Sequence, residues 1–190
     1  MVSTLGGYLG FLGLLGAERL VELVLSKRNA ARAFARGGVE TGQAHYRVMV
    51  VLHSLFLGAC VAEVVGLSRP FPGALGYGAL GVALVAQALR YWAIASLGDR
   101  WNTRIIVVPG LEPVTRGPYR FLRHPNYVAV VLELAAVPLI HGAWVTALVF
   151  SLANALLLRV RIHAEEEALG ALYAEAFSDK PRFIPEVPRG

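Results

Sequence analysis

The stretch YVAVVLELAAVPLIHGAWVTALVFSLANALLL, residues 127–158, decides the fold. It holds two apolar runs, Tyr127–Ile140 and Ala143–Leu158, parted only by His141 and Gly142. A helix rises about 1.5 Å per residue, so the first run reaches roughly 20 Å, short of the roughly 30 Å hydrocarbon core of a bilayer. Two helices joined by so brief a polar break form a tight antiparallel hairpin, and its two open ends lie side by side. Upstream, Leu5–Leu25, Val48–Leu67 and Leu75–Leu97 are each long enough to span. The first carries no basic leader and holds Glu18, Arg19 and Glu22 near its far end, so it reads as a mature helix rather than a signal peptide. The expectation is an all-α integral membrane protein with about five transmembrane helices. The last two form the short hairpin. A cytoplasmic amphipathic helix follows over Arg159–Phe177, and the tail Lys180–Gly190, with Pro181, Pro185 and Pro188, is expected to be extended.

Composition agrees. The 190 residues are 56% hydrophobic and 16% charged, with a mean hydropathy of +0.55; soluble domains average about 45–50% and about 25%. The net charge of +5 is distributed by loop. Lys27, Arg28, Arg32, Arg36 and Arg47 follow the first span, Arg69 alone follows the second, and Arg100, Arg104, Arg116, Arg120 and Arg123 follow the third. The hairpin tip has no basic residue, and the C-terminal segment is basic again. The positive-inside rule then puts the N-terminus outside and the first loop, third loop and C-terminal segment in the cytoplasm. Arg19 and Arg90, near cytoplasmic ends of spans, are expected to snorkel toward headgroups. Glu133 is balanced between a cavity contact and a partner for an arginine. Headgroup contact explains the basic loops without a nucleic-acid partner.

Several motifs fail on context. Gly76-Tyr77-Gly78-Ala79-Leu80-Gly81 fits GxGxxG but opens an apolar helix with no preceding strand. It reads as a helix-packing surface, as do Gly6, Gly10 and Gly13. No HxxxH or HExxH pair provides a metal site, and Cys60 stands alone inside an apolar run.

Two segments remain: GPYRFLRHPNY, Gly117–Tyr127, leading into the hairpin, and Arg161–Glu166, just beyond its exit. The hairpin brings them to one mouth. Arg161 and Glu165, four residues apart, share a helical face; the plain alternative is a surface ion pair worth about 0–1 kcal/mol. A nucleophile with a matched base and a phosphate loop are both lacking. Arginine, carboxylate, histidine and tyrosine above a greasy hairpin suit a polar cofactor held against a lipophilic substrate. Methyl transfer from a sulfonium requires little beyond alignment and exclusion of water.

From about Ser96 to Pro188 the chain resembles the isoprenylcysteine carboxyl methyltransferase family, through GPYRFLRHPNY, the hairpin, and RIHAEEEAL (Arg161–Leu169) followed by Tyr173 and Phe177. ERLVEL (Glu18–Leu23), ARGGVE (Ala35–Glu40), His45-Tyr46 and WNTRIIVVPG (Trp101–Gly110) are similar to small bacterial members associated with type III polyketide synthases. The resemblance implies S-adenosylmethionine as methyl donor. It places Tyr119, His124, Pro125, Asn126, Tyr127 and Glu165 around that cofactor, adds Val114 and Arg104 as further contacts, and makes Arg161 the residue that orients the acceptor oxygen. Leu111, Glu112 and Pro113 depart from the eukaryotic pattern. The implied layout is one methyltransferase domain: residues 1–97 as a three-helix membrane scaffold, and 98–190 as cofactor loop, hairpin and catalytic helix. An acceptor already ionised at neutral pH needs no base, so O-methylation of a carboxylate or acidic hydroxyl is expected, on a prenylcysteine-like lipid or a long-chain alkylpyrone or alkylresorcinol. Membrane lipids and a polyketide synthase pathway are the implied partners. The competing readings are a phospholipid N-methyltransferase, a nicotinamide-dependent lipid reductase and a non-enzymatic membrane scaffold.

Overall fold

The computed structural model describes residues 2–183; Pro185 and Pro188 of the expected extended tail lie outside them. Among the described residues five α-helices carry the fold: α1 (Val2–Ala35), α2 (Gln43–Gly66), α3 (Ala74–Leu97), α4 (Pro125–Leu139) and α5 (Trp144–Ala176). Among the described residues, α2, α3 with its 3-10 extension to Arg100, and α5 are long and apolar enough to cross a membrane. At 15 residues, α4 is shorter, as its apolar run implied.

The first helix runs past its apolar run to Ala35, because Ala30, Ala31, Arg32 and Ala33 favour helix. It stops where Gly37 takes φ 78° and Gly38 N–H returns to the Ala33 carbonyl at 2.9 Å, a glycine C-cap. Tyr8, Leu12 and Leu15 of α1, at helical spacing, share a core with Phe56, Cys60 and Val64 of α2 and with Val130, Leu134 and Val137 of α4. The most extensive helix contact is α3 against α4. Near the start of α3 Gly76 is buried, and a Cβ there would lie 2.7 Å from the Ile140 carbonyl and 2.6 Å from the Phe71 ring. That close approach accounts for the first glycine of the false fingerprint. Gly6, Gly10 and Gly13 of α1, expected as packing surfaces, face outward instead, and a Cβ at any of them would meet no atom within 4 Å.

Glu63 closes the far end of the bundle. From the last turn of α2 it accepts the Val145 and Thr146 backbone N–H groups at 3.2 and 2.7 Å and the Thr146 hydroxyl at 2.8 Å, and it pairs with Arg69. The first N–H groups of a helix lack partners within it, and its dipole favours an anion there. Glu63 thus caps α5 in trans.

Arg19 and Arg90 do not snorkel. Arg90 is 4% exposed and pairs with Glu133, while Arg19 reaches Glu22 at 2.9 Å and Glu133 at 3.4 Å. Gln87 donates to Glu18. Opposite charges on α1, α3 and α4 stand at one depth, and pairing satisfies them without exit to water. For Glu133, the arginine-partner reading holds.

The third loop, between α3 and α4, contains a short strand in its β-branched Ile105-Ile106-Val107 run. This β2 (Ile105–Val107) pairs antiparallel with β1 (Val39–Thr41), Glu40 facing Ile106. The pairing ties the first and third loops together on one side of the bundle. Asn29 of α1 secures the same loop by donating to the carbonyls of Gly98 and Trp101. The expected amphipathic helix is continuous with the fifth apolar run as α5, broken at Gly170, where φ is 70° and ψ −160°.

Candidate active site at the mouth of the hairpin

The motif Gly117–Tyr127 folds as a 3-10 turn, Gly117–Arg120, then a bend into α4. Gly117 is required: its φ is 61°, and a Cβ would collide with Ser96. The turn buries Tyr119 against Ala93 of α3 and against Tyr173 and Phe177. Burial, then the nearby Glu165 carboxylate and Tyr173, push the Tyr119 phenol well above its usual range, so it stays neutral.

The C-terminal segment straps this loop. Arg123 N–H donates to the Pro181 carbonyl at 3.0 Å, Arg123 Nε to the Lys180 carbonyl at 2.6 Å, and the Tyr173 hydroxyl to the Arg123 carbonyl at 3.2 Å. His124, 5% exposed, lies with its ring centroid 5.3 Å from that of Tyr127 and 6.2 Å from that of Tyr173. Its Nε2 is 3.0 Å from Glu166 Oε1, and Glu166 also takes the two-pronged guanidinium of Arg182 at 3.0 and 2.5 Å. Pro125 starts α4, where its missing N–H costs nothing. Asn126 follows, with its buried Oδ1 unpartnered.

Arg161 and Glu165 do not form the ordinary ion pair that their spacing allows. The Tyr127 hydroxyl stands between them, accepting from Arg161 Nε at 3.0 Å and donating to Glu165 Oε2 at 2.5 Å. Arg161 Nη2 donates to the Thr103 carbonyl at 2.5 Å. The remaining Nη1 is buried without a partner, on a residue 4% exposed. One guanidinium is thus fixed at two corners and free at the third.

Of the expected residues, Arg104, Val114, Tyr119, His124, Asn126, Tyr127, Arg161 and Glu165 line a single cavity of about 680 Å³, and Pro125 is not among its lining residues. The volume falls within the roughly 300–1,000 Å³ of small-molecule sites. Arg104 is committed elsewhere: it pairs with Glu40 at 3.0 Å and lies over the Phe34 ring. Sequence reasoning missed Thr103, whose carbonyl fixes Arg161, and Trp101, buried on the cavity wall with its indole N–H unpartnered. The polar, aromatic WNT run was the available signal for both. It also missed that α1 and α2 supply wall residues, among them Glu22 and His53.

An open cavity of small-molecule size with a fixed guanidinium on its wall sits in a helical bundle in which, among the described residues, three helices are long and apolar enough to cross a membrane. Residues 79–171 match the isoprenylcysteine carboxyl methyltransferase (ICMT) family, and the chain belongs to that family. It is similar to an uncharacterized Bacillus subtilis protein, YpbQ, at 41% identity over 158 residues, 83% of this chain and 94% of the relative. An uncharacterized Haemophilus influenzae protein is 27% identical over 161 residues, 84% and 93% of the two chains. The Protein-S-isoprenylcysteine O-methyltransferase of Schizosaccharomyces pombe is 25% identical over 197 residues, covering 96% of this chain and 82% of that one.

Proposed function

We propose that this protein is an S-adenosylmethionine-dependent O-methyltransferase acting on the carboxylate or acidic hydroxyl of a lipophilic acceptor. The observation that carries the reading is the free Nη1 of Arg161, a buried donor on the wall of a cavity that also reaches the polar mouth. A buried donor without a partner costs about 1–3 kcal/mol or more, and an oxygen of the acceptor satisfies it. Fixed by Tyr127 and Thr103, the guanidinium holds that oxygen in one orientation, and a planar, permanently charged fork favours an oxygen anion.

The residues fit the cofactor. Glu165 and the unpartnered Asn126 Oδ1 are acceptors for its ammonium and hydroxyl groups, and the neutral Tyr119 is a donor. Aromatic faces of Tyr127 and Tyr173 suit a sulfonium cation or a flat base. When bound, the cofactor supplies an electrophilic methyl group. The protein aligns the acceptor and excludes water; an acceptor ionised at neutral pH needs no base. Prenylcysteine-like carboxylates and the acidic enols of long-chain alkylpyrones meet this condition; an alkylresorcinol hydroxyl, whose pKa is ordinarily about 10, meets it once the Arg161 guanidinium beside it lowers that pKa. Either of the last two would make a polyketide synthase the partner that supplies the acceptor.

In this reading α1 and α4 join the three apolar helices as spans. The basic loops and the mouth face the cytoplasm, the water-soluble cofactor enters there, and the acceptor arrives from the bilayer. The pair Glu165→Ala and Arg161→Ala tests the assignment. Millimolar S-adenosylhomocysteine is expected to raise the Tm of the wild type and of Arg161→Ala, and to do so far less for Glu165→Ala; Arg161→Ala is expected to lose turnover first. No stabilisation of the wild type would contradict the reading.

A further inference from the structure

The cavity does not end at Arg161. Its wall continues past Leu158 to His53 of α2, Glu22 of α1 and Arg90 of α3. Glu22 and Arg90 are 8% and 4% exposed, and neither is fully satisfied. Glu22 Oε2 takes Arg19 at 2.9 Å and lies 3.9 Å from Arg90 Nη1, while its Oε1 has no partner. Arg90 gives Nη2 to Glu133, while its Nε has no partner. An ion-pair network serving only to join helices would close on itself. This one leaves three atoms open, Glu18 Oε1, Glu22 Oε1 and Arg90 Nε, and the last two, an acceptor and a donor, stand on adjacent side chains that line the cavity.

Their pairing specifies a ligand group. A hydroxyl donates and accepts at one atom, so it can meet both; a carboxylate only accepts, and an ammonium only donates. Glu18, Glu22 and Glu133 against Arg19 and Arg90 leave one carboxylate in excess, which disfavours an anion. Leu20, Leu23, Val50 and Leu57 on the same cavity wall give an apolar path between α1 and α2 for a hydrocarbon tail.

We infer that Glu22 and Arg90 form a second subsite, one that selects acceptors bearing a neutral hydroxyl in addition to the oxygen held by Arg161. The substrate class narrows to amphiphiles with at least two oxygen functions in the head group. The inference rests on the methyl-transfer reading for the place of the first oxygen.

The test uses the full-length protein in detergent with a long-chain alkylresorcinol and the alkylphenol of identical tail, which lacks one hydroxyl. Binding is read by ligand-induced Tm shifts, turnover by labelled methyl transfer. The wild type is expected to bind the resorcinol at least about tenfold more tightly, since a site built to hydrogen-bond a hydroxyl discriminates strongly against its absence. In Glu22→Gln this preference falls severalfold. Equal binding of the two ligands by the wild type overturns the subsite, and so does an unchanged preference in Glu22→Gln. If that variant does not fold, the wild-type ratio decides alone. Preferential binding without methyl transfer to either ligand sustains the subsite and counts against the methyl-transfer reading.

Discussion

Arg161 draws its importance from what surrounds it rather than from its charge. Nε and Nη2 are held by Tyr127 and Thr103, and the same tyrosine hydroxyl reaches Glu165. Tyr127→Phe keeps the ring and removes the link. It is expected to lower kcat/KM by about 10–100-fold, the cost of about 1.4–2.7 kcal/mol of lost positioning, while the protein still folds with a cooperative transition in thermal unfolding. Activity within about twofold of wild type would mean that the tyrosine only fills space. The mouth residues were legible because they are contiguous in GPYRFLRHPNY and RIHAEE. The link between them was not, because the four-residue rule pairs Arg161 with Glu165 on one helix and is silent about a hydroxyl arriving from another. Arg90 shows the same limit. Its distance from a span end was readable, but the carboxylates that hold it, Glu22 and Glu133, come from two other helices.

At the scale of elements, the hairpin depends on a residue outside it. Glu63, a carboxylate near the end of the apolar run Val48–Leu67, serves as the cap of α5. Glu63→Ala leaves two N–H groups and Arg69 without their anion and is expected to cost about 1–3 kcal/mol. A lowered Tm in detergent, with cofactor affinity retained in the folded fraction, checks this; an unchanged Tm would show that water caps the helix equally well. Helix order, the hairpin and its short first arm were readable from apolar run length. The β1–β2 pair was not, since three-residue strands carry too little periodicity to reveal a partner far along the chain.

For the whole molecule, the scarce charge falls into two groups. Exposed basic residues gather on the last turns of α1 and on the loop between α3 and α4 that the β1–β2 pair ties back to it, while the buried or half-buried Arg19, Arg90 and Arg161 sit along one cavity. A cytoplasmic cofactor is proposed to meet a bilayer-borne acceptor in that cavity. The most direct test supplies methyl-labelled S-adenosylmethionine to sealed membrane vesicles containing the protein and a host lipid extract. Label is predicted to enter an O-methylated lipophilic product in inverted vesicles, with little transfer in right-side-out ones and little with Arg161→Ala. Absence of labelled lipid in inverted vesicles, or label confined to N-methylated phospholipid, would contradict O-methyl transfer at a cytoplasmic mouth.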